Sequence, residues 1–220
     1  MKSFFVRLLD MMIGLILYAF GIIISIKANI GYAPWEVFHV GLANTTGLSL
    51  GITTIIVGII IVIAVTVLKE KLGFGTIASM LLTGVFLDII LFFNLIPIAK
   101  NKITGMLMLL SGLFTIAIGS YFYIKSAFGV GPRDNLMVVL AKKTKIPVGV
   151  CRLIIELSVT IIGWLLGGMF GIGTVISAVA IGFFIQITFK ALKFDVTSVR
   201  HESIADTFSA LFGKRKDHLQ

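Results

Sequence analysis

Six long apolar runs dominate the chain: Phe4–Ile26, Leu48–Leu68, Leu72–Ile98, Ile103–Ile124, Ile146–Met169 and Phe170–Phe189. Each approaches or exceeds the roughly 20 residues a helix needs to cross about 30 Å of hydrocarbon. The runs lack the polar alternation of a membrane barrel strand. A continuous apolar segment satisfies its backbone in lipid by coiling. They therefore predict transmembrane helices. Two shorter and more polar stretches interrupt the pattern, Pro34–Thr46 and Pro132–Thr144. At about 1.5 Å per residue, a helix of that length spans roughly 20 Å, short of a bilayer core. Glu36, His39 and Asn44 lie in one, and Asp134, Asn135, Lys142 and Lys143 in the other. Each predicts a re-entrant or interfacial helix.

The two halves of the pattern repeat. Gly31-Tyr-Ala-Pro34-Trp-Glu36 returns as Gly129-Val-Gly-Pro132-Arg-Asp134, 129 − 31 = 98 residues later. A shift of 98 residues without a gap aligns 14–90 with 112–188, and 23 of 77 positions are identical. Lys27 meets Lys125, and Gly73-x-Gly75-Thr76 meets Gly171-x-Gly173-Thr174. The expected architecture is all-α, a polytopic helical membrane protein. It has two repeats, 1–98 and 99–193, each of three spans plus one short helix, followed by a tail at 194–220.

An odd number of spans per unit predicts that the second unit is inverted, a common transporter design. With both termini inside, 15 Lys and Arg lie on the cytoplasmic side and 3 outside. If the short helices crossed, eight spans in parallel repeats would place 13 inside and 5 outside. Both satisfy the positive-inside rule; helix length favours six spans. The tail carries a weakly amphipathic patch at Ile204–Phe212 and a basic cluster at Lys214–Lys216, suited to anionic lipid or to an unstructured end.

Composition strengthens the membrane reading. The chain is 58% hydrophobic and 13% charged, with a mean hydropathy of +1.08; soluble domains carry about 25% charged residues. The N-terminus resembles a signal peptide, but its apolar stretch is too long and no Ala-x-Ala site follows. Cys151 is the single cysteine, so no intrachain disulfide forms. The net charge of +9 collects at span ends, and no nucleic-acid module is visible. A homodimer is compatible with the size, though no motif specifies one.

The candidate site residues fall in two groups. Helix N-termini inside a membrane direct N–H groups and a positive dipole at an anion. Lys27, Gly31, Pro34 and Glu36, with Lys125, Gly129, Pro132, Arg133 and Asp134, are thus candidates to bind substrate. The structural alternative is that glycine bends, proline starts the helix, the acid caps it and lysine snorkels to headgroups. Ionisable residues inside spans mark ion or proton paths: Asp88, and Arg152 with Glu156, which share a helix face at i and i+4. His39 reads as a satisfied polar residue at the membrane surface, and Tyr32 and Trp35 as an interfacial belt. The two Gly-x-Gly-Thr sequences suit close packing. No nucleophile triad, metal cluster or nucleotide loop is present, so enzyme chemistry, cofactor and metal are not expected.

Lys27, Gly31, Pro34-Trp35-Glu36, Gly41-Leu42, Thr46-Gly47 and Gly51, followed by Gly73-Phe74-Gly75-Thr76, resemble the bacterial YczE/YyaS/YitT-type membrane proteins over about residues 10 to 190. The resemblance implies a multi-helix protein of the bacterial cytoplasmic membrane and supplies no catalytic residues. The expected function is a small secondary transporter or exporter of an anionic or zwitterionic metabolite. The alternative is a membrane accessory or scaffold protein that affects export or assembly of another product.

Overall fold

A computed structural model describes residues 4–70, 72–195 and 199. The amphipathic patch at 204–212 and the basic cluster at 214–216 lie outside the described residues. Eight helices form among those described: α1 (Phe4–Lys27), α2 (Pro34–Thr46), α3 (Leu50–Val67), α4 (Phe74–Phe93), α5 (Lys102–Lys125), α6 (Pro132–Thr144), α7 (Val148–Leu165) and α8 (Ile172–Ala191). Six are long and apolar enough to cross a membrane; α2 and α6, at 13 residues each, are not. Each of the last four helices begins and ends 98 residues after its counterpart among the first four, as in 102 − 4 = 98 and 191 − 93 = 98.

Local sequence explains the ends. Pro34 and Pro132 open α2 and α6 at the position where a missing N–H costs nothing. Gly47 ends α2 in the left-handed region. Asn101 and Thr104 cap α5 reciprocally. The third apolar run continues to Ile98, but α4 stops at Phe93. Asn94 turns left-handed there at φ 46, and Pro97 follows.

At the centre α1 and α5 pack antiparallel. Gly14 faces Gly119, and Gly21 faces Gly112. A methyl group on Gly21 would lie 2.7 Å from the Gly112 carbonyl oxygen, so only glycine lets these backbones approach. Ile22, Ile23, Leu109 and Leu113 fill the seam. On its flanks α4 lies against α1, and α8 against α5.

One end of the bundle, here the near end, carries the start of α1. The Phe4 and Phe74 rings both pack on Phe128, with centroids 5.5 and 5.8 Å away, which places the start of α4 and the loop after α5 there too. The segment 126–145 both starts and finishes at the near end. Arg7 Nε donates to the Ser126 carbonyl at 2.8 Å, and Lys142 pairs with Glu70 in the α3–α4 loop. The segment 28–47 does the reverse. Ala99 N–H donates to the Lys27 carbonyl at 2.9 Å, and the Thr45 hydroxyl to the Leu166 carbonyl at 3.1 Å, both at the far end. The short helices thus enter from opposite ends and their N-termini meet between.

Each turn is seated on the other half of the chain. Gly173 N–H donates to the Ile30 carbonyl at 2.8 Å, and Gly75 N–H to the Phe128 carbonyl at 2.7 Å. Gly31 sits at φ +113 against the Gly171 backbone, and Gly129 at φ +136 against Gly73 and Thr76. The Gly-x-Gly-Thr sequences are the seats for the two Gly-Pro turns.

Candidate functional site

The meeting point of α2 and α6 is ionic. Arg133 Nη1 donates to Glu36 Oε1 at 3.3 Å, and Nη2 lies 3.1 Å from His39 Nδ1. The guanidinium carbon stands 4.8 Å from the centre of the Trp35 ring, a cation–π distance. A guanidinium only donates, so His39 Nδ1 is the acceptor and the imidazole is neutral. His39 is outside the six long helices, and burial, then the Arg133 charge, hold its pKa well below the ordinary value. The imidazole is 2% exposed and Trp35 7%. The surface positions expected for both are therefore corrected: Arg133, remote in sequence, gives His39 a buried hydrogen-bond partner and covers the Trp35 ring, whose buried N–H has no hydrogen-bond partner among the described residues.

Beside this cluster lies a cavity of about 410 Å³, lined by residues from all eight helices. It occupies the near-end half, where Val130–Asp134, the first half of α4 and the last turns of α5 surround it. Its wall is mainly apolar, through Val57, Ile61, Met80, Ile181 and Ile185, with Tyr18, Tyr123, Ser79, Thr83 and Ser120 interspersed. The corresponding space toward the far end, around Pro34, Glu36, Leu113 and Ser177, is only about 80 Å³.

Arg152 and Glu156 line the cavity and pair at 2.8 Å, as their spacing predicts. The bond uses Arg152 Nε; its two Nη groups make no hydrogen bond among the described residues. Asp134 also lines the cavity. Its side chain is exposed to the open cavity, and its carboxylate has no hydrogen-bond partner among the described residues. Burial raises its pKa, and Arg152 and then Arg133 counter the rise. Two arginines are thus matched by Glu36 and Glu156, and Asp134 leaves the site with one surplus negative charge.

The other expected site residues lie elsewhere. Lys125 pairs with Asp10 at 3.1 Å, and Lys27 donates to Asn94 Oδ1 at 3.3 Å; neither lines the cavity. Gly31 and Gly129 serve the turn seats. Asp88 accepts from Gly51 N–H at 2.7 Å and from the Ser49 hydroxyl. It holds the start of α3 and does not face the cavity. Three cavity or support residues went unread in the sequence. Tyr18 and Tyr123 carry no signal beyond being aromatic in a span. Asp10 was legible as an acid inside the first apolar run.

The Family of unknown function (DUF6198) matches residues 5–190. The chain belongs to that family. It is 34% identical over 178 residues to the "Uncharacterized membrane protein YczE" of Bacillus subtilis, covering 80% of this chain and 81% of that protein. An "Uncharacterized protein" of Haemophilus influenzae is 30% identical over 179 residues, covering 79% and 81%. The "Uncharacterized protein YyaS" of Bacillus subtilis is 25% identical over 178 residues, covering 80% and 88%. No solved structure matches. Family membership agrees with the resemblance drawn from the Gly-Pro and Gly-x-Gly-Thr sequences.

Proposed function

We propose that the chain is a small secondary transporter that carries a small zwitterionic metabolite through the central cavity with proton coupling. The carrying observation is the cavity itself: a mostly apolar chamber where two opposed short helices meet, with one unmatched carboxylate and one half-engaged arginine. Asp134 would take the substrate's ammonium group or a proton, and the Arg152 Nη groups its carboxylate. A simple anion fits less well, because Glu36 and Glu156 already match both arginines and Asp134 repels it. The constant offset of 98 residues between helix ends supports two copies of one unit, inverted in the bilayer with α2 and α6 re-entrant. Lysine and arginine at the near end support a cytoplasmic placement of that face in the bacterial cytoplasmic membrane.

The test is proton flux in proteoliposomes. Purified protein is reconstituted with a pH-sensitive dye inside, and a panel of small zwitterionic amines is added outside under a pH gradient. Dye response to at least one compound, lost in Asp134→Asn, supports the reading. No response to any panel member by correctly inserted protein sinks it.

A further inference from the structure

The two halves differ most sharply at one crossing. Helices α3 and α4 pack along their length, whereas the counterpart pair α7 and α8 shares no packed interface. A methyl group on Gly51 would lie 2.1 Å from the Gly84 carbonyl oxygen, and one on Gly84 would lie 2.6 Å from that of Gly51. Their counterparts 98 residues on, Gly149 and Gly182, each have nothing within 4 Å of an added methyl group. Asp88 binds Gly51 N–H and Ser49. Its counterpart Gln186 is exposed and makes no hydrogen bond among the described residues. An exposed, unpartnered amide within a membrane helix is unfavourable.

The volumes at this crossing match in reverse. Gly58 of α3 receives Met80 of α4, at 2.3 Å from its would-be methyl group. At the corresponding positions α7 presents the larger Glu156 and α8 the smaller Ala178. One partner is small and the other large in both halves. The α7–α8 surfaces therefore keep the glycines, a polar cap and the volume balance of a packed interface that they do not form here.

We infer a second conformation in which α7 closes on α8, Gly149 against Gly182, with the Gln186 side-chain oxygen accepting from Gly149 N–H as Asp88 does from Gly51. Gly149 lies in the first turn of α7, at the near end, so this closure seals the near-end cavity. The α3–α4 contact, whose Gly51 and Asp88 lie toward the far end, is the opposing gate and is shut in the present structure. The inference rests on the two-unit reading and gives each unit one gate. It identifies Gln186 as a positioning residue rather than a ligand group.

Disulfide trapping tests it, because trapping accumulates a minor conformation without any substrate. In full-length Cys151→Ser protein in membranes, the reference pair is Ser49→Cys with Asp88→Cys, which is in contact in this structure. The test pair is Pro147→Cys with Gln186→Cys, its counterpart. Both pairs should form intramolecular disulfides under mild oxidation. Adding Gly182→Leu, which has open space here but blocks the closed contact, should reduce the test yield at least tenfold and spare the reference yield. A reference pair that cross-links while the test pair does not overturns the inference. So does a test yield indifferent to Gly182→Leu. Cross-linking without substrate-driven proton flux would instead leave the gate standing and remove the transport reading.

Discussion

Arg133 lies over the Trp35 ring at 4.8 Å, and these two residues occupy the same position in the two halves of the chain, 133 − 35 = 98 residues apart. Positions 98 residues apart thus come into direct contact where the starts of α2 and α6 meet. One turn presents an aromatic face and the other supplies the cation that covers it. The same arginine reaches Glu36 and His39, so a single side chain ties α6 to α2.

Removing that tie is predicted to be severe. Arg133→Ala leaves Glu36 uncompensated in the interior, a loss of about 3 kcal/mol or more. Thermal unfolding in detergent should show a large drop, and the double variant Glu36→Gln with Arg133→Met should recover most of it. A double variant as unstable as Arg133→Ala would contradict a role based on charge pairing.

The turn glycines should separate by contact. Gly31 combines φ +113 with the Gly171 backbone at 2.8 Å from any added methyl group, whereas Gly47, at φ +74, has open space. Gly31→Ala is predicted to cost about 3 kcal/mol or more, from left-handed strain and overpacking together. Gly47→Ala carries only the strain, about 1 kcal/mol. Equal losses in a stability assay would argue against the turn seats.

Asp134 should leave a signature in the pH profile of stability. Burial raises its pKa, so folding favours the protonated form. That contribution is fully present below the unfolded value, about pH 4, and is lost as pH rises through the higher folded value. Asp134→Asn should therefore match or exceed wild-type stability at neutral pH. The difference between variant and wild type should shrink on acidification. A difference that grows as pH falls would mean that the carboxylate is paired.

Labelling from outside should sort the helix ends by face. Single cysteines at Lys145 and Lys193 should react with an impermeant thiol reagent on one side of the membrane, and those at Asn44 and Lys100 on the other. If Lys145 and Asn44 react from the same side, the opposed entry of α2 and α6 fails.

Much of the fold could be read in the sequence because membrane helices advertise themselves one by one. Pro34 and Pro132 mark the short helices to the residue, whereas the end of α4 at Phe93 falls short of the apolar run that continues to Ile98. Side-chain partners were less legible because they come from far along the chain. Trp35 and His39 looked like surface residues until Arg133 arrived from the other half. Lys125 looked available for a ligand until Asp10 took it. Asp88 looked like an ion site within a span, yet the end of α4 brings it to the bare N–H groups of α3. Each case has the same cause: a polar residue's surroundings depend on a neighbour about 40 to 115 positions away.

The crossed seating of the turns also bears on biogenesis. Ile30 reaches its hydrogen-bond partner Gly173 only after 173 − 30 = 143 further residues have been made. A nascent chain leaving the ribosome therefore carries its first turn without this bond through the synthesis of α2 to α7, and gains it only when α8 arrives. Truncation before that point strips the first half of this backbone clamp.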